Sequence, residues 1–103
     1  MTETRRYESW KEVVAYSDDR PNPIELFTSE HFKIVIVGLE ADQKIPPHDG
    51  PAAVYQVLEG SGAMIVDGER LSIAQGSIVA VANGSSRGVE ADTRLALYAC
   101  RDL

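Results

Sequence analysis

Short apolar runs separated by turn residues dominate the chain beyond Pro23 and predict an all-β fold. The runs recur at intervals of about 8–12 residues, a spacing typical of barrels and sandwiches built from short strands. The run Phe32–Leu39 is apolar almost throughout, so we expect both of its faces to be covered. A jelly-roll barrel protects the strand edges of such a chain. The predicted strands are Ile24–Phe27, Phe32–Leu39, Val54–Glu59, Ala63–Asp67, Leu71–Ile73, Ser77–Val81, Gly88–Glu90 and Thr93–Cys100.

Residues 1–22 differ from the rest of the chain and are predicted to form a short N-terminal arm. A cluster of turn-forming residues at Asp18–Pro23 separates this arm from a barrel domain at residues 23–103. Within the arm, Ser9–Ser17 has apolar residues at helical spacing, which favours a helical turn over an extended segment.

Two glycine-containing segments predict tight turns between strands. Asp67-Gly68 is the two-residue signal of a type I′ hairpin, in which both central residues need positive φ. Gly60-Ser61-Gly62 is interpreted as a second tight hairpin, which would pair the strand Val54–Glu59 with the strand that starts near Ala63.

Composition and charge exclude several classes of function. The net charge of −6 argues against a nucleic-acid binder, which would usually carry a basic surface. The single cysteine, Cys100, excludes an intrachain disulfide, suits a reducing compartment, and is interpreted as an inert buried thiol. No segment resembles a signal peptide or the ~20-residue apolar run of a membrane span, so we predict a cytoplasmic protein without a membrane partner.

Two segments resemble the two sequence motifs of the cupin superfamily in the spacing of their glycines, and the first of them also contains a histidine. The first contains Pro46-Pro47-His48 and closes at Gly60; the second runs from Gly76 through Gly84 to position 87. Fifteen residues separate Gly60 from Gly76, similar to the short inter-motif spacing of small bacterial cupins. The resemblance covers residues 32–101 and implies a cupin-type jelly-roll β-barrel, the double-stranded β-helix.

The residues that hold a metal in cupins are mostly replaced in this chain. The family uses two histidines and a glutamate from the first motif and one histidine from the second. Of these positions only His48 matches, and the others hold Gly50, Ala53 and Arg87. One imidazole cannot chelate a transition metal, and a guanidinium has no lone pair to donate. We therefore expect a degenerate metal site with no metal and no cofactor.

The same alignment of motifs predicts which residues lie at the mouth of the barrel. Tyr55 and Met64 are expected to point inward beside His48 and Arg87, so the candidate ligand-binding residues are His48, Arg87, Tyr55 and Met64. A structural role stays open for each of them. His48 could hydrogen-bond a backbone carbonyl, Tyr55 and Met64 could pack in the core, and Arg87 could reach solvent or pair with Glu90 or Asp92.

The leading functional hypothesis is a binding protein that holds an unidentified small anionic or carbonyl molecule in the barrel. A metal-independent isomerase, epimerase or lyase would instead use His48 as catalytic acid or base. A third hypothesis is a metal-dependent dioxygenase or isomerase with atypical ligands, and a fourth is a structural or regulatory dimer with a filled barrel. A homodimer is expected because Ile34–Leu39 and Leu95–Ala99 carry apolar residues on both faces.

Overall fold

Two antiparallel sheets form a jelly roll in the computed structural model, which describes residues 3–103. The five-stranded sheet has the order β1-β2-β9-β4-β7 and the four-stranded sheet the order β3-β8-β5-β6. The all-β jelly-roll prediction is therefore confirmed. The strands are β1 Asn22–Thr28, β2 Phe32–Leu39, β3 Lys44–Asp49, β4 Ala53–Glu59, β5 Ser61–Val66, β6 Glu69–Ala74, β7 Ile78–Val81, β8 Ser86–Ala91 and β9 Leu95–Asp102.

Strand β2 lies in the interior of the five-stranded sheet, as its apolar sequence predicts. Ile36 and Leu39 point to opposite faces and both are fully buried. Strand β3 was not predicted because Pro46-Pro47 interrupts its pattern. It forms at the edge of the four-stranded sheet, where a proline, which has no N–H, removes few interstrand hydrogen bonds. The strand carries an irregularity between Ile45 and His48.

The N-terminal arm lies against the outer face of the five-stranded sheet. The predicted helical turn at Ser9–Ser17 is reduced to one 3₁₀ turn at Trp10–Glu12, which the Ser9 side chain caps by accepting a hydrogen bond from the backbone N–H of Lys11. A Cβ atom at Gly38 would lie 2.1 Å from the carbonyl oxygen of Ala15. Only glycine therefore allows the arm to cross the sheet at this point.

The structure agrees with one of the two predicted glycine turns and contradicts the other. Asp67 and Gly68 have φ values of 50° and 83° and join β5 to β6, so the type I′ prediction is consistent with the structure. The hairpin expected at Gly60-Ser61-Gly62 is wrong, because β4 and β5 belong to different sheets. At Gly60, with φ of 88°, the chain crosses from one sheet to the other so closely that a Cβ atom would lie 2.0 Å from the carbonyl oxygen of Arg94.

No helix within residues 3–103 has the length and apolar character needed to cross a membrane.

Candidate functional site at the barrel mouth

The strand register divides the barrel interior into layers, because residues directly opposite each other on paired strands share a face. The outermost layer, here called the mouth layer, lies where β3, β5, β7 and β9 end and β4, β6 and β8 begin. From the five-stranded sheet it contains Thr28, Lys33, Arg101, Ala53 and Val81. From the four-stranded sheet it contains His48, Arg87, Val66 and Glu69.

The next layer inward is almost entirely apolar. Its polar groups are the Tyr55 hydroxyl and the carboxylate of Glu25, which is exposed on the edge strand β1. Polar chemistry in the barrel is therefore concentrated at the mouth. The apolar members of this second layer are Val35, Ala99, Val79, Ile45, Val89, Met64 and Leu71.

Arg87 is buried at the mouth, with 3% of its surface exposed, and bonds to two loops. Its Nη1 donates to the Pro51 carbonyl at 2.6 Å, and its Nη2 donates to the Gly50 carbonyl at 3.0 Å. On the other side, Nε and Nη2 donate to the Ser85 carbonyl at 3.0 and 2.9 Å, and Nη2 also lies 3.3 Å from the Ala82 carbonyl. The guanidinium thus joins the β3–β4 loop to the β7–β8 loop.

The guanidinium of Arg87 has no donor left for a ligand. A guanidinium carries five N–H groups, and backbone carbonyls together with the Tyr55 hydroxyl, 3.4 Å from Nη1, occupy them. The solvated or ion-paired role considered for Arg87 is wrong. Glu90 is instead held by Arg70 at 2.8 Å, and this hydrogen bond lowers the pKa of Glu90 below its usual value.

His48 and the other sequence-predicted residues occupy different depths of the barrel. His48 is the register partner of Arg87 but lies at the exposed rim, with Nδ1 3.2 Å from the Pro46 carbonyl oxygen. Tyr55 is half-buried against the core, and Met64 is fully buried within it. The structure therefore brings His48, Arg87 and Tyr55 to the mouth region and places Met64 one layer deeper, among apolar side chains.

The residues at the family's metal position do not fit a metal ion. Across residues 3–103, no three side chains of His, Cys, Asp or Glu are grouped so that they could hold one. Gly50 lies against the guanidinium instead, since a Cβ atom there would be 3.3 Å from Cζ of Arg87. Next to His48 there is thus a fixed positive charge rather than a second ligand, and Ala53 offers no donor atom.

Two further cations of the mouth layer were missed from the sequence. Lys33 on β2 and Arg101 on β9 are direct register partners and face the same side of the sheet. Arg101 Nε is enclosed and has no hydrogen-bond partner among residues 3–103. In that part of the chain the ion pairs are Arg6–Glu8, Arg70–Glu90 and Arg94–Glu40, so neither Lys33 nor Arg101 has a carboxylate partner.

The alternation along the last strand was the signal that could have found this pair. Leu95, Leu97 and Ala99 are buried on the inner face, and the same period of two places Arg101 there. The mouth layer therefore holds three fixed positive charges, from Lys33, Arg87 and Arg101, against the carboxylate of Glu69, in a chain whose net charge is −6.

Comparison with solved structures identifies the fold. An RmlC-like cupin protein from Desulfovibrio desulfuricans is 25% identical, with a TM-score of 0.87 and coverage of 97% of both chains. A conserved protein of unknown function from Streptococcus pyogenes is 19% identical, with a TM-score of 0.84 and coverage of 97% of this chain and 89% of that one.

A catalytic protein also shares the fold. The salicylate 1,2-dioxygenase of Pseudoaminobacter salicylatoxidans is 20% identical with a TM-score of 0.75, over 80% of this chain and 25% of that one. No family model matches the sequence, and no curated protein matches it. The two sheets, their strand order and these structural relatives agree, and the chain has the fold of a small cupin domain.

Proposed function

We propose that this cupin domain binds a small anion at the barrel mouth, between Lys33 and Arg101, and does so without the metal of its family. The observation that carries the proposal is the facing pair of cations with no carboxylate partner among the described residues. The sequence predicted that the anion would bind beside Arg87. We place it beside Arg101 instead, because backbone carbonyl oxygens accept hydrogen bonds from the N–H groups of Arg87.

Two unfavourable features of the mouth layer would be relieved by an anion. Like charges directly opposite each other on paired strands destabilise a sheet by ~0.2–1 kcal/mol. An enclosed donor without a partner, such as Arg101 Nε, costs about 1–3 kcal/mol, and an anion bonds to it once the guanidinium turns this atom toward the mouth. A carboxylate or phosphate oxygen could accept from Arg101 while a second oxygen contacts the Lys33 ammonium.

The ligand class follows from what surrounds the two cations. Val35 and Ala99 are the next residues inward from Lys33 and Arg101 on the same face, and His48 belongs to the mouth layer of the other sheet. A small carboxylate or phosphate with a short apolar body matches this combination of a charged layer over an apolar one. The single thiol suits a reducing compartment such as the cytoplasm.

Binding is favoured over catalysis by the role of Arg87. An acid–base reaction at His48 needs a second polar group that can reach the same substrate atom. The expected partner, Arg87, is committed to holding the two loops, so it cannot stabilise an oxyanion without leaving them. The role of Arg87 is structural, because it joins the β3–β4 loop to the β7–β8 loop.

The proposal is tested by thermal denaturation with malonate, inorganic phosphate and benzoate, each compared with chloride at equal ionic strength. An anion present at tenfold its dissociation constant stabilises by about 1.4 kcal/mol. For a domain of this size that corresponds to a rise in Tm of roughly 6–11 °C. Arg101→Gln and Lys33→Gln should abolish the rise.

The matched control is Lys44→Gln, which removes an exposed positive charge from the outer face of the four-stranded sheet. It should keep the full response to the anion. If none of the three anions stabilises the wild type, or if Lys44→Gln loses the response as fully as Arg101→Gln, binding between Lys33 and Arg101 is ruled out.

A further inference from the structure

An apolar groove, here called the arm groove, lies between the N-terminal arm and the outer face of the five-stranded sheet. It has a volume of about 310 Å³, and its lining includes Ile34 on β2 and Tyr98 on β9. Because successive residues of a strand point to opposite faces, Ile34 faces away from Lys33 of the mouth layer. The arm groove is therefore a different cavity from the barrel mouth, on the other side of the same sheet.

The arm that forms one wall of the groove is held in place by its own contacts. The Tyr7 hydroxyl donates a hydrogen bond to the Leu26 carbonyl of β1 at 2.7 Å. Further along, the arm crosses β2 at Gly38, and the Gln43 side chain donates to the Ser17 carbonyl at 2.6 Å. A preformed groove loses little conformational freedom when it takes up a ligand, so little affinity is lost to ordering the arm.

The apolar lining of the arm groove is largely aromatic. Phe27 and Phe32 stack on each other, with ring centroids 5.9 Å apart and an angle of 26° between the ring planes. Tyr7 adds a ring from the arm, and Tyr98 adds one from β9. Aromatic side chains favour offset-stacked or edge-to-face contact with another ring. This lining therefore suits a flat aromatic body better than a flexible alkyl chain.

Two polar groups line the same groove and are unpaired in the part of the chain that the structure describes. Arg5 takes part in no ion pair or hydrogen bond there, although the adjacent Arg6 pairs with Glu8 at 2.7 Å. The Tyr98 hydroxyl likewise has no hydrogen-bond partner within residues 3–103. Burial raises the pKa of Tyr98, so the phenol stays protonated at neutral pH and can donate to an anion.

We propose that the arm groove binds an aromatic carboxylate with two fused rings. The carboxylate accepts from the Arg5 guanidinium and the Tyr98 hydroxyl, and the rings lie against the stacked phenylalanines. An apolar lining with a few polar groups is the usual composition of a small-molecule site. A cavity of roughly 150 Å³ accommodates benzene. The volume of 310 Å³ therefore has room for a second ring and the carboxylate.

This site goes beyond the anion site proposed at the mouth and does not depend on it. Its cation is Arg5 of the arm, whereas the mouth uses Lys33 and Arg101 on the inner face of the sheet. Malonate and inorganic phosphate have no aromatic body for the arm groove, so their binding tests the mouth alone. Either site can fail its test without affecting the other.

Isothermal titration of the full chain with 2-naphthoate tests the proposal. The wild type should bind, and Tyr98→Phe should weaken binding about tenfold, because a hydrogen bond to a charged group is lost. Arg5→Gln should weaken it about two- to fivefold, the range for an exposed ion pair. The matched control is Arg6→Gln, which removes the same charge from the neighbouring exposed residue and should bind as the wild type does.

Two further probes separate the charge from the rings. The neutral amide 2-naphthamide should bind the wild type more weakly than 2-naphthoate, and Arg5→Gln should not weaken it further. Decanoate, which has the carboxylate but no ring, should also bind more weakly than 2-naphthoate. Tighter binding of decanoate, or equal losses for Arg6→Gln and Arg5→Gln, contradicts the proposed recognition.

The mouth variants decide which cavity holds the probe. Lys33→Gln and Arg101→Gln should bind 2-naphthoate as the wild type does, because neither residue lines the arm groove. If these two variants lose 2-naphthoate while Arg5→Gln and Tyr98→Phe keep it, the probe binds at the mouth and the arm-groove proposal is overturned. A wild type that binds no 2-naphthoate overturns it as well, whatever the result with malonate.

Discussion

Replacing Arg87 with methionine tests whether this side chain holds the barrel mouth together. Methionine keeps much of the side-chain length and removes every N–H donor. The carbonyl oxygens of Gly50, Pro51, Ala82 and Ser85 would lose the hydrogen bonds that now connect the two loops. Water cannot bridge the loops with the same fixed geometry as the planar guanidinium.

The expected magnitude follows from these contacts. Each orphaned acceptor costs about 1 kcal/mol at the lower end of the known range, since water reaches these half-exposed loops. Four acceptors give about 4 kcal/mol, and removal of a buried charge offsets part of the loss. We therefore expect Arg87→Met to lower the free energy of unfolding by roughly 2–3 kcal/mol, against a total of about 5–15 kcal/mol.

Urea denaturation followed by circular dichroism measures this loss. Arg87→Lys should recover only a part of it, because an ammonium keeps the charge but lacks the planar fork. The matched control is Arg70→Met, which removes the exposed ion pair to Glu90 and should cost less than ~1 kcal/mol. An Arg87→Met variant as stable as Arg70→Met would refute the structural role given to Arg87.

Three further outcomes are expected. Gly60→Ala should lower the free energy of unfolding in urea by more than ~2 kcal/mol, since the new Cβ would meet the Arg94 carbonyl at 2.0 Å. Gly76→Ala, where φ is also positive but the space is open, should lower it by only ~1–2 kcal/mol. Equal losses for the two variants would contradict the close approach at Gly60. Lys33→Gln should raise the stability of the anion-free protein by ~0.2–1 kcal/mol, and a loss would show that Lys33 is not repelled by its neighbour. Elemental analysis of Arg87→His should find no stoichiometric transition metal, because one added imidazole still leaves the site with too few ligands. One bound ion per chain would instead show a set of metal ligands that the structure does not reveal.

Much of the fold was predictable because local patterns determine it. The apolar run of β2 and the Asp67-Gly68 turn each specify one backbone geometry, and the structure has both. The prediction at Gly60 failed for a physical reason. A glycine with positive φ fits a hairpin and a crossing between sheets equally well, and only the distant Arg94 carbonyl distinguishes them.

The candidate site was less predictable because its chemistry depends on partners far along the chain. The sequence places Arg87 at the family's ligand position, but its acceptors come from the loop at Gly50 and Pro51, more than thirty residues away. Lys33 and Arg101 meet only through the pairing of β2 with β9. A lysine at the start of one strand and an arginine at the end of another give no local signal of a shared site.

The most direct test of the central claim is to follow the arginine Nε–H resonances by ¹H–¹⁵N NMR during titration with malonate. The account predicts that the Arg87 Nε–H is protected from exchange and does not move, because the Ser85 carbonyl accepts from it. The Arg101 Nε–H, which lacks a partner in the described structure, should shift progressively with malonate. A shift at Arg87 with none at Arg101 would contradict the account.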